Sequence, residues 1–266
     1  MMDVLSRASR LDLQLNPFPH LVIQDALPPN LYAELSASFP PPKIIAGRRA
    51  AARRASNRRY SMSAWPLMLR EDVAAPWKTF LERHTAPDFV RTVVALFAGH
   101  WDERVASRLK IASEDGTVGL LYRDANAGGR ILADARIEIN APVSADASSA
   151  RGAHLDTPNR LYSGLFYLRE EGDDSTGGEL ELFRWKSRPT EILDVNELPP
   201  DSVERVTAIP YRANQLVIFP QSIHALHGVG IRHTTPHIRR YVFITSEFED
   251  DWLTADRRAE DMPEPV

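Results

Sequence analysis

Gly177-Gly178-Glu179-Leu180-Glu181-Leu182-Phe183 is the stretch whose reading decides the fold. The paired glycines mark a turn. Behind them charged and apolar residues alternate strictly, the period of a strand buried on one face. Arg136-Ile137-Glu138-Ile139-Asn140 repeats that alternation. Gln215-Leu216-Val217-Ile218-Phe219 and Tyr241-Val242-Phe243-Ile244-Thr245 are β-branched and aromatic runs bounded by Pro or polar residues, a second strand signature. Short strands with turn signals, and no helical period between them from about Leu120 onward, indicate a sandwich or barrel of the jelly-roll kind.

Upstream the period is helical. Residues 1–112 read as a mixed, helix-rich support region. His20 to Gln24 reads as a short strand, and Pro28-Pro29 suits the start of a helix carrying Leu31, Leu35 and Phe39 on one face. A second helix is expected through Trp77, Phe80 and Leu81. A third is expected from near Thr85, which stands three residues before Asp88 as a capping hydroxyl. Phe89, Val93, Leu96 and Phe97 form its apolar stripe, whose plain role is core packing. The expected organisation is mainly β with flanking helices (α+β): support over 1–112, a β core over 113–247, and an acidic tail over 248–266 with a short helix and a frayed end, one domain overall. The segment from Arg184 to Arg212 is longer than a simple connection and is expected to form a flap.

Composition narrows the chemistry. The chain has 266 residues, 43% hydrophobic and 26% charged, enough for one large core and without a disorder signature. A formal net charge of -4 does not call for a polyanionic partner, so nucleic acid is not expected. No apolar run approaches the roughly 18–20 residues of a membrane span, and MMDVLSRASRLDLQL lacks the apolar stretch of a secretory signal. Cysteine is absent, which removes disulfides and thiolate ligands together. These features suggest a soluble, cytoplasmic protein whose metal, if it holds one, is bound by His, Asp and Glu.

Gly152-Ala153-His154-Leu155-Asp156-Thr157-Pro158 lies inside the β region. Residues i and i+2 of an extended segment share a face, so His154 and Asp156 can reach one ion. With a second imidazole from a distant strand they make the facial triad of non-haem iron(II) oxygenases. His-X-Asp alone arises often by chance, and its plain reading is a satisfied polar pair at a turn. The order of the downstream residues adds weight. A buried-strand pattern runs from Asn214 to Pro220, then comes His224-Ala225-Leu226-His227-Gly228-Val229, then Arg240 thirteen residues beyond His227. An arginine on the last strand is a permanently charged, bidentate partner for a carboxylate inside a barrel. His224 and His227 are three positions apart and would face opposite ways on a strand, so only one can be the distal ligand.

At these residues the chain resembles the 2-oxoglutarate/iron(II) dioxygenases, in particular their prolyl-4-hydroxylase-like branch. The resemblance spans roughly residues 110–247, with a looser echo in FPHLVIQDALPP. His154-Leu-Asp-Thr-Pro is similar to the family's His-X-Asp turn, Leu165-Phe-Tyr167-Leu to the strand after it, Gly177-Gly-Glu-Leu-Glu-Leu-Phe to its paired-glycine strand, and Arg240-Tyr-Val-Phe-Ile-Thr to its arginine strand. The resemblance implies a double-stranded β-helix (a cupin-like jelly roll) with His154, Asp156 and His227 as iron ligands. It further implies Arg240 and Tyr167 as 2-oxoglutarate contacts, with dioxygen as oxidant and ascorbate as a candidate reductant. Val229 after Gly228, and the spacing to the arginine, favour His227 over His224. Should Arg240 not serve, Arg239 is the alternative.

The implied activity is hydroxylation of an unactivated C–H bond, coupled to decarboxylation of 2-oxoglutarate to succinate. A small metabolite is the first choice of substrate. A peptidyl side chain, or a non-catalytic metal-binding jelly roll, are the other readings. Halogenating relatives replace the carboxylate of the triad by Gly or Ala, so Asp156 points to hydroxylation or desaturation. Two departures stand out: Val242 occupies the place two beyond the arginine where Ser or Thr is common, and no tyrosine precedes the His-X-Asp turn, for which Asn140, Arg136 or Tyr122 could substitute. Arg48, Arg49, Arg53, Arg54, Arg58 and Arg59 also fall between Lys43 and Tyr60 with no acidic residue among them. That run reads either as a solvated loop or as a lid meeting an anionic substrate.

Overall fold

The computed structural model describes residues 2–50, 55–113, 117–125, 131–187 and 197–253. Its strands are β1 (Leu21–Ile23), β2 (Arg59–Met62), β3 (Val118–Leu120), β4 (Ile131–Asn140), β5 (Arg160–Tyr167), β6 (Leu180–Trp185), β7 (Val203–Ile209), β8 (Gln215–Pro220), β9 (His227–Val229) and β10 (Arg239–Phe248). Its helices are α1 (Pro29–Ala37), α2 (Pro42–Ala50), α3 (Ala64–Met68), α4 (Ala75–His84), α5 (Pro87–Leu96) and α6 (Glu103–Ala106). The larger sheet runs β1-β8-β5-β10-β4-β2, with β3 parallel to β4; the smaller runs β7-β6-β9. Together they form the double-stranded β-helix expected from the sequence, mainly β with helices at its flank.

The helices cover one face of the larger sheet. Phe80 of α4 stacks on Phe166 of β5, ring centroids 5.8 Å apart, and Tyr32 of α1 meets the same ring edge-on. Trp77 is fully buried and donates to the carbonyl of Leu35, tying α4 to α1. This cover explains why β5 and β8 are buried along their whole length: one face meets helices, the other the barrel interior. Such strands read as continuous apolar runs rather than as alternation.

Three expectations need correction. Thr85 does not cap the third helix: its hydroxyl donates to the carbonyl of Leu81, closing α4, while α5 begins at Pro87 behind an Ala86 that makes no side-chain cap. Its Oγ lies within reach of the preceding turn, and the pull of Pro87 at the helix start suffices for α5. The segment expected as a flap contains β7, paired along β6, although residues 188–196 lie outside the described residues. The start of the acidic tail is neither frayed nor helical. Trp252 and Leu253 are buried, and Trp252 donates to the carbonyl of Arg160. Residues 254–266 lie outside the described residues.

His84 provides a test of the helical layer. Its ring stacks on Phe80 at 3.9 Å, its Nδ1 faces the carbonyl of Phe80, and its Nε2 accepts from the Val4 N–H, so the neutral form fills every bond. Burial pushes its pKa down to about 4. The unfolded chain takes up that proton near 6.5, the native chain only near 4, so this contribution is full above pH 6.5 and is lost as pH falls toward 4. The loss across the window should reach about 3 kcal/mol. Urea midpoints at pH 7 and pH 4.5 should therefore separate more in wild type than in His84→Gln, and equal separations would remove His84 as the cause.

Candidate active site

The site begins with a backbone exchange. His154 N donates to His227 O at 2.8 Å and His227 N to His154 O at 3.1 Å, an antiparallel hydrogen-bonded pair that fixes the two residues opposite one another. Their rings lie with centroids 4.3 Å apart. Asp156, two residues on, places Oδ1 at 3.8 Å from His154 Nε2 and Oδ2 at 3.7 Å from His227 Nε2. These three residues form one of two clusters of potential ligands among the described residues; the other, Asp173, Asp174 and His237, is partly exposed.

The surroundings orient each of these three side chains. His154 Nδ1 lies 2.8 Å from the Gly152 carbonyl and His227 Nδ1 lies 3.0 Å from the Ala225 carbonyl. A carbonyl only accepts, so each Nδ1 carries a proton and each Nε2 is turned toward Asp156. Burial, then His227, hold His154 well below the usual imidazole range, so it is neutral at pH 7. Burial alone would raise the Asp156 carboxyl, but His227, His154, Arg160 and the Ser163 hydroxyl outweigh it and keep it ionised. Ser163 Oγ donates to Asp156 Oδ2, and Gln221 Nε2 to the Asp156 carbonyl at 3.0 Å. Two imidazoles that present Nε2 and one ionised carboxylate, each fixed by a second partner, are a donor set that fits iron(II).

The pocket in front of this triad is lined from both sheets, by Leu180, His227 and Val229 on one side and Glu138, Asn140, Leu165, Tyr241 and Phe243 on the other. Strand register decides which residues face it. Tyr241 stands opposite Tyr167 and Glu138, and Arg239 opposite Asn140. Arg239, Tyr241 and Phe243 thus share the inner face.

Arg240 consequently points away from the pocket, contrary to the expectation from sequence. It is paired with Glu170 at 3.0 Å, donates to the Leu168 carbonyl and lies 4.8 Å from the Phe39 ring centroid, on the helix-covered side. A shift of one residue changes the face of a strand. Arg239 occupies the inner position: its guanidinium lies 5.0 Å from the Tyr167 ring centroid and 4.4 Å from that of Tyr211, and it donates to the Gly178 carbonyl. The Tyr167 hydroxyl beside it is fully buried, and no described group accepts its proton. Burial raises its pKa, so it remains a donor. A carboxylate between Arg239 and Tyr167 would satisfy both, and on this observation the residues fit 2-oxoglutarate.

The remaining expected residues divide clearly. His224 is exposed and apart from the cluster, whereas His227 is in it. Of the three substitutes for the missing tyrosine, Asn140 lines the pocket, Arg136 is held by Asp134 at 3.1 Å, and Tyr122 is exposed. With Arg239 as the inward arginine, the place two beyond it is Tyr241, which carries a hydroxyl where Val242 did not. Within the basic run, Arg59 lines the pocket and Arg58 lies over the Tyr60 ring. Arg53, Arg54 and the side chains of Arg48 and Arg49 lie outside the described residues. Glu138, Arg151 and Ser163 were missed from sequence. Glu138 had a signal, being the charged inner position of an alternating strand; the other two had none.

Gly228 permits the close approach of β9 to the His154 segment. A Cβ there would stand 2.8 Å from the Gly152 carbonyl oxygen, a backbone atom that cannot swing aside. Gly228→Ala should therefore part the two histidines and weaken iron binding at least about tenfold, in the range seen when supports of metal ligands are lost. Metal titration by calorimetry checks this, and wild-type affinity would show that the strands absorb the methyl group.

Residues 144–245 match the family model described as the 2OG-Fe(II) oxygenase superfamily. No curated protein matches the chain. A putative oxygenase structure from Shewanella oneidensis is similar at TM-score 0.50 and 13% identity, over 89% of this chain and 86% of that one, which shows a shared fold. A Trichoplax adhaerens prolyl hydroxylase, solved with a hypoxia inducible factor peptide fragment, is similar at 0.47 and 14%, over 88% and 86%. A prolyl 4-hydroxylase from Phytophthora capsici is similar at 0.47 and 14% over 86% of this chain, which spans 58% of its length.

Proposed function

The chain is a member of the 2OG-Fe(II) oxygenase superfamily through residues 144–245, an iron(II)- and 2-oxoglutarate-dependent dioxygenase, and from that premise we propose that it hydroxylates an unactivated C–H bond of a small-molecule metabolite. The observation that carries this reading is the buried His154, Asp156 and His227 cluster facing a pocket lined by Leu165, Tyr241 and Phe243, with Arg239 on the same strand face as Tyr241 and beside a Tyr167 hydroxyl whose proton no described group accepts. Bound iron(II) and 2-oxoglutarate supply, with dioxygen, the oxidising power, and the co-substrate leaves as succinate and carbon dioxide.

The chain's own residues bind, orient and exclude water. His154 and His227 offer Nε2 because backbone carbonyls hold their Nδ1 protons, and Ser163 holds the Asp156 carboxylate toward them. Arg239 fixes the far carboxylate of the co-substrate with a planar, permanent charge, and Tyr167 donates to it. Phe219 packs its ring 4.9 Å from that of His227, and Leu165, Leu180 and Phe243 keep the pocket wall apolar. Arg59, Glu138, Asn140 and Arg151 add polar groups of both signs beside the triad, which supports a compact polar substrate.

The test is iron-dependent succinate formation by the purified protein, followed by a metabolite screen for compounds that stimulate it and gain one oxygen atom by mass. Absence of succinate with iron(II), 2-oxoglutarate, ascorbate and air would overturn the reading. Stimulation by peptides alone would move the substrate to a peptidyl side chain.

A further inference from the structure

Arg239 faces the interior, yet it is the first residue of β10, at the end of a ladder where strands fray most easily. Its partner across the sheet, Asn140, is likewise the last residue of β4. Two residues beyond Asn140 stands Pro142, which has no N–H to continue the pairing. On the other side the His237 N–H is taken by Thr235 Oγ1 at 3.2 Å. The pairing therefore stops where the arginine that fits the co-substrate is mounted.

Arg232 supplies donors at that point. It is buried, and its guanidinium donates from Nη1 to the Ala141 carbonyl at 2.9 Å and from Nη2 to the His237 carbonyl. One planar fork thus ties the end of β4 to the approach to β10, a rigid bridge that a lysine ammonium does not offer. The same segment acts from a second side. Arg232 exchanges backbone hydrogen bonds with Ser148, and the Ile231 carbonyl accepts from Gly178 N–H at 3.1 Å. That bond seats the Gly177-Gly178 turn, and the Gly178 carbonyl in turn accepts from Arg239. A Cβ on Gly178 would stand 2.9 Å from Arg239 Nη1 and 3.6 Å from the Arg232 stem, so the turn fits closely between the two arginines. Arg239 is gripped at its backbone by the Arg232 side chain and at its guanidinium by the turn.

We propose that Arg232 is a positioning residue for the co-substrate: it fixes the depth of the Arg239 guanidinium and so sets the length of oxo acid that is accepted. This rests on the oxygenase reading, since only an oxo acid with a second carboxylate needs Arg239. Arg232 gives its hydrogen bonds to carbonyls and acts through Arg239 rather than on the ligand. An oxo acid must reach from the triad to Arg239. A fixed Arg239 rejects a chain one methylene too short or too long, whereas a loose one follows it.

The test is calorimetric, on the full chain with iron(II) under nitrogen, so that no turnover occurs. The titrants are 2-oxoglutarate, its four-carbon homologue oxaloacetate and its six-carbon homologue 2-oxoadipate. Wild type should favour 2-oxoglutarate over each by at least about tenfold, the discrimination available from one methylene. Arg232→Met should weaken 2-oxoglutarate at least about tenfold, as when a group in a site loses its support, and leave iron affinity unchanged. Its preference among the three acids should shrink to less than about threefold. Arg232→Lys keeps the charge without the fork and should behave like Arg232→Met. Gly178→Ala displaces Arg239 from the other side and should narrow the preference in the same way, which keeps the inference open to refutation if Arg232→Met does not fold. A wild-type preference retained in a folded Arg232 variant or in Gly178→Ala would overturn the inference. So would its full return in Arg232→Lys, equal weakening of all three acids together with iron, or a wild type that does not discriminate. Wild type that binds none of the three would overturn the oxygenase reading, and this inference with it, before any variant is made.

Discussion

Asp156→Ala is expected to abolish iron-dependent succinate formation and to lower iron affinity by more than about a hundredfold, beyond the losses typical for the supports of metal ligands. The size of the effect comes from the arrangement. Asp156 is the single anion placed between His154 Nε2 and His227 Nε2, at 3.8 and 3.7 Å, and its loss leaves two buried imidazoles without the charge that draws a cation to them. It also removes the carboxylate beside Arg151 and the acceptor of Ser163 Oγ, so some loss of thermal stability should accompany it. Calorimetry with iron(II) under nitrogen, together with succinate detection, reads both effects. Wild-type iron affinity with a native circular dichroism spectrum would remove Asp156 from the triad.

The second large effect separates two adjacent arginines. Arg239→Ala should raise the 2-oxoglutarate requirement by at least about thirtyfold, the low end of the roughly 2–5 kcal/mol lost when one partner of a desolvated charge pair is removed. Iron affinity without co-substrate should stay near that of wild type, since Arg239 touches Tyr167, Tyr211 and Gly178 and none of the three triad residues. Arg240→Ala should change the requirement less than about threefold, because its partner Glu170 is about half-exposed and such pairs contribute little. Saturation curves for 2-oxoglutarate in both variants check this directly. A large shift in Arg240→Ala with none in Arg239→Ala would require the inner face of β10 to be reversed.

These two arginines also mark where sequence reading stops. Alternation in residues 136–140 and 179–183, and the runs at 215–219 and 241–245, made the β elements legible because side-chain period is a local property. His154 and Asp156 were legible for the same reason, as residues two apart on an extended segment. Their convergence with His227 needed only order along the chain. The choice between Arg239 and Arg240 was different. It depends on which face of β10 meets the interior, and β10 is buried on both faces: Val242 and Ile244 are fully buried on one while Tyr241 lines the pocket on the other. Without an exposed side, alternation of polarity vanishes and parity cannot be assigned from the strand alone. The register to β4 settles it, through Tyr241 opposite Glu138. Arg151 and Ser163 were beyond reach because their roles arise from loop geometry and from contacts across the fold. Thr85 shows a local ambiguity, since one hydroxyl could equally close α4 or open α5.

The position of β1 bears on how the protein can be shortened. Leu21, Val22 and Ile23 pair with Ile218, Val217 and Leu216, so a three-residue strand from the beginning of the chain closes one margin of the larger sheet. Every residue of β8 is buried beneath that cover and beside β5. A version trimmed past residue 27 would keep all three triad residues yet leave the apolar ladder of β8 open along one side. Such an edge is a template for other chains. The cost of trimming would then appear as self-association and precipitation rather than as altered chemistry in the fraction that stays in solution, and light scattering of the trimmed protein would register it before any assay of turnover.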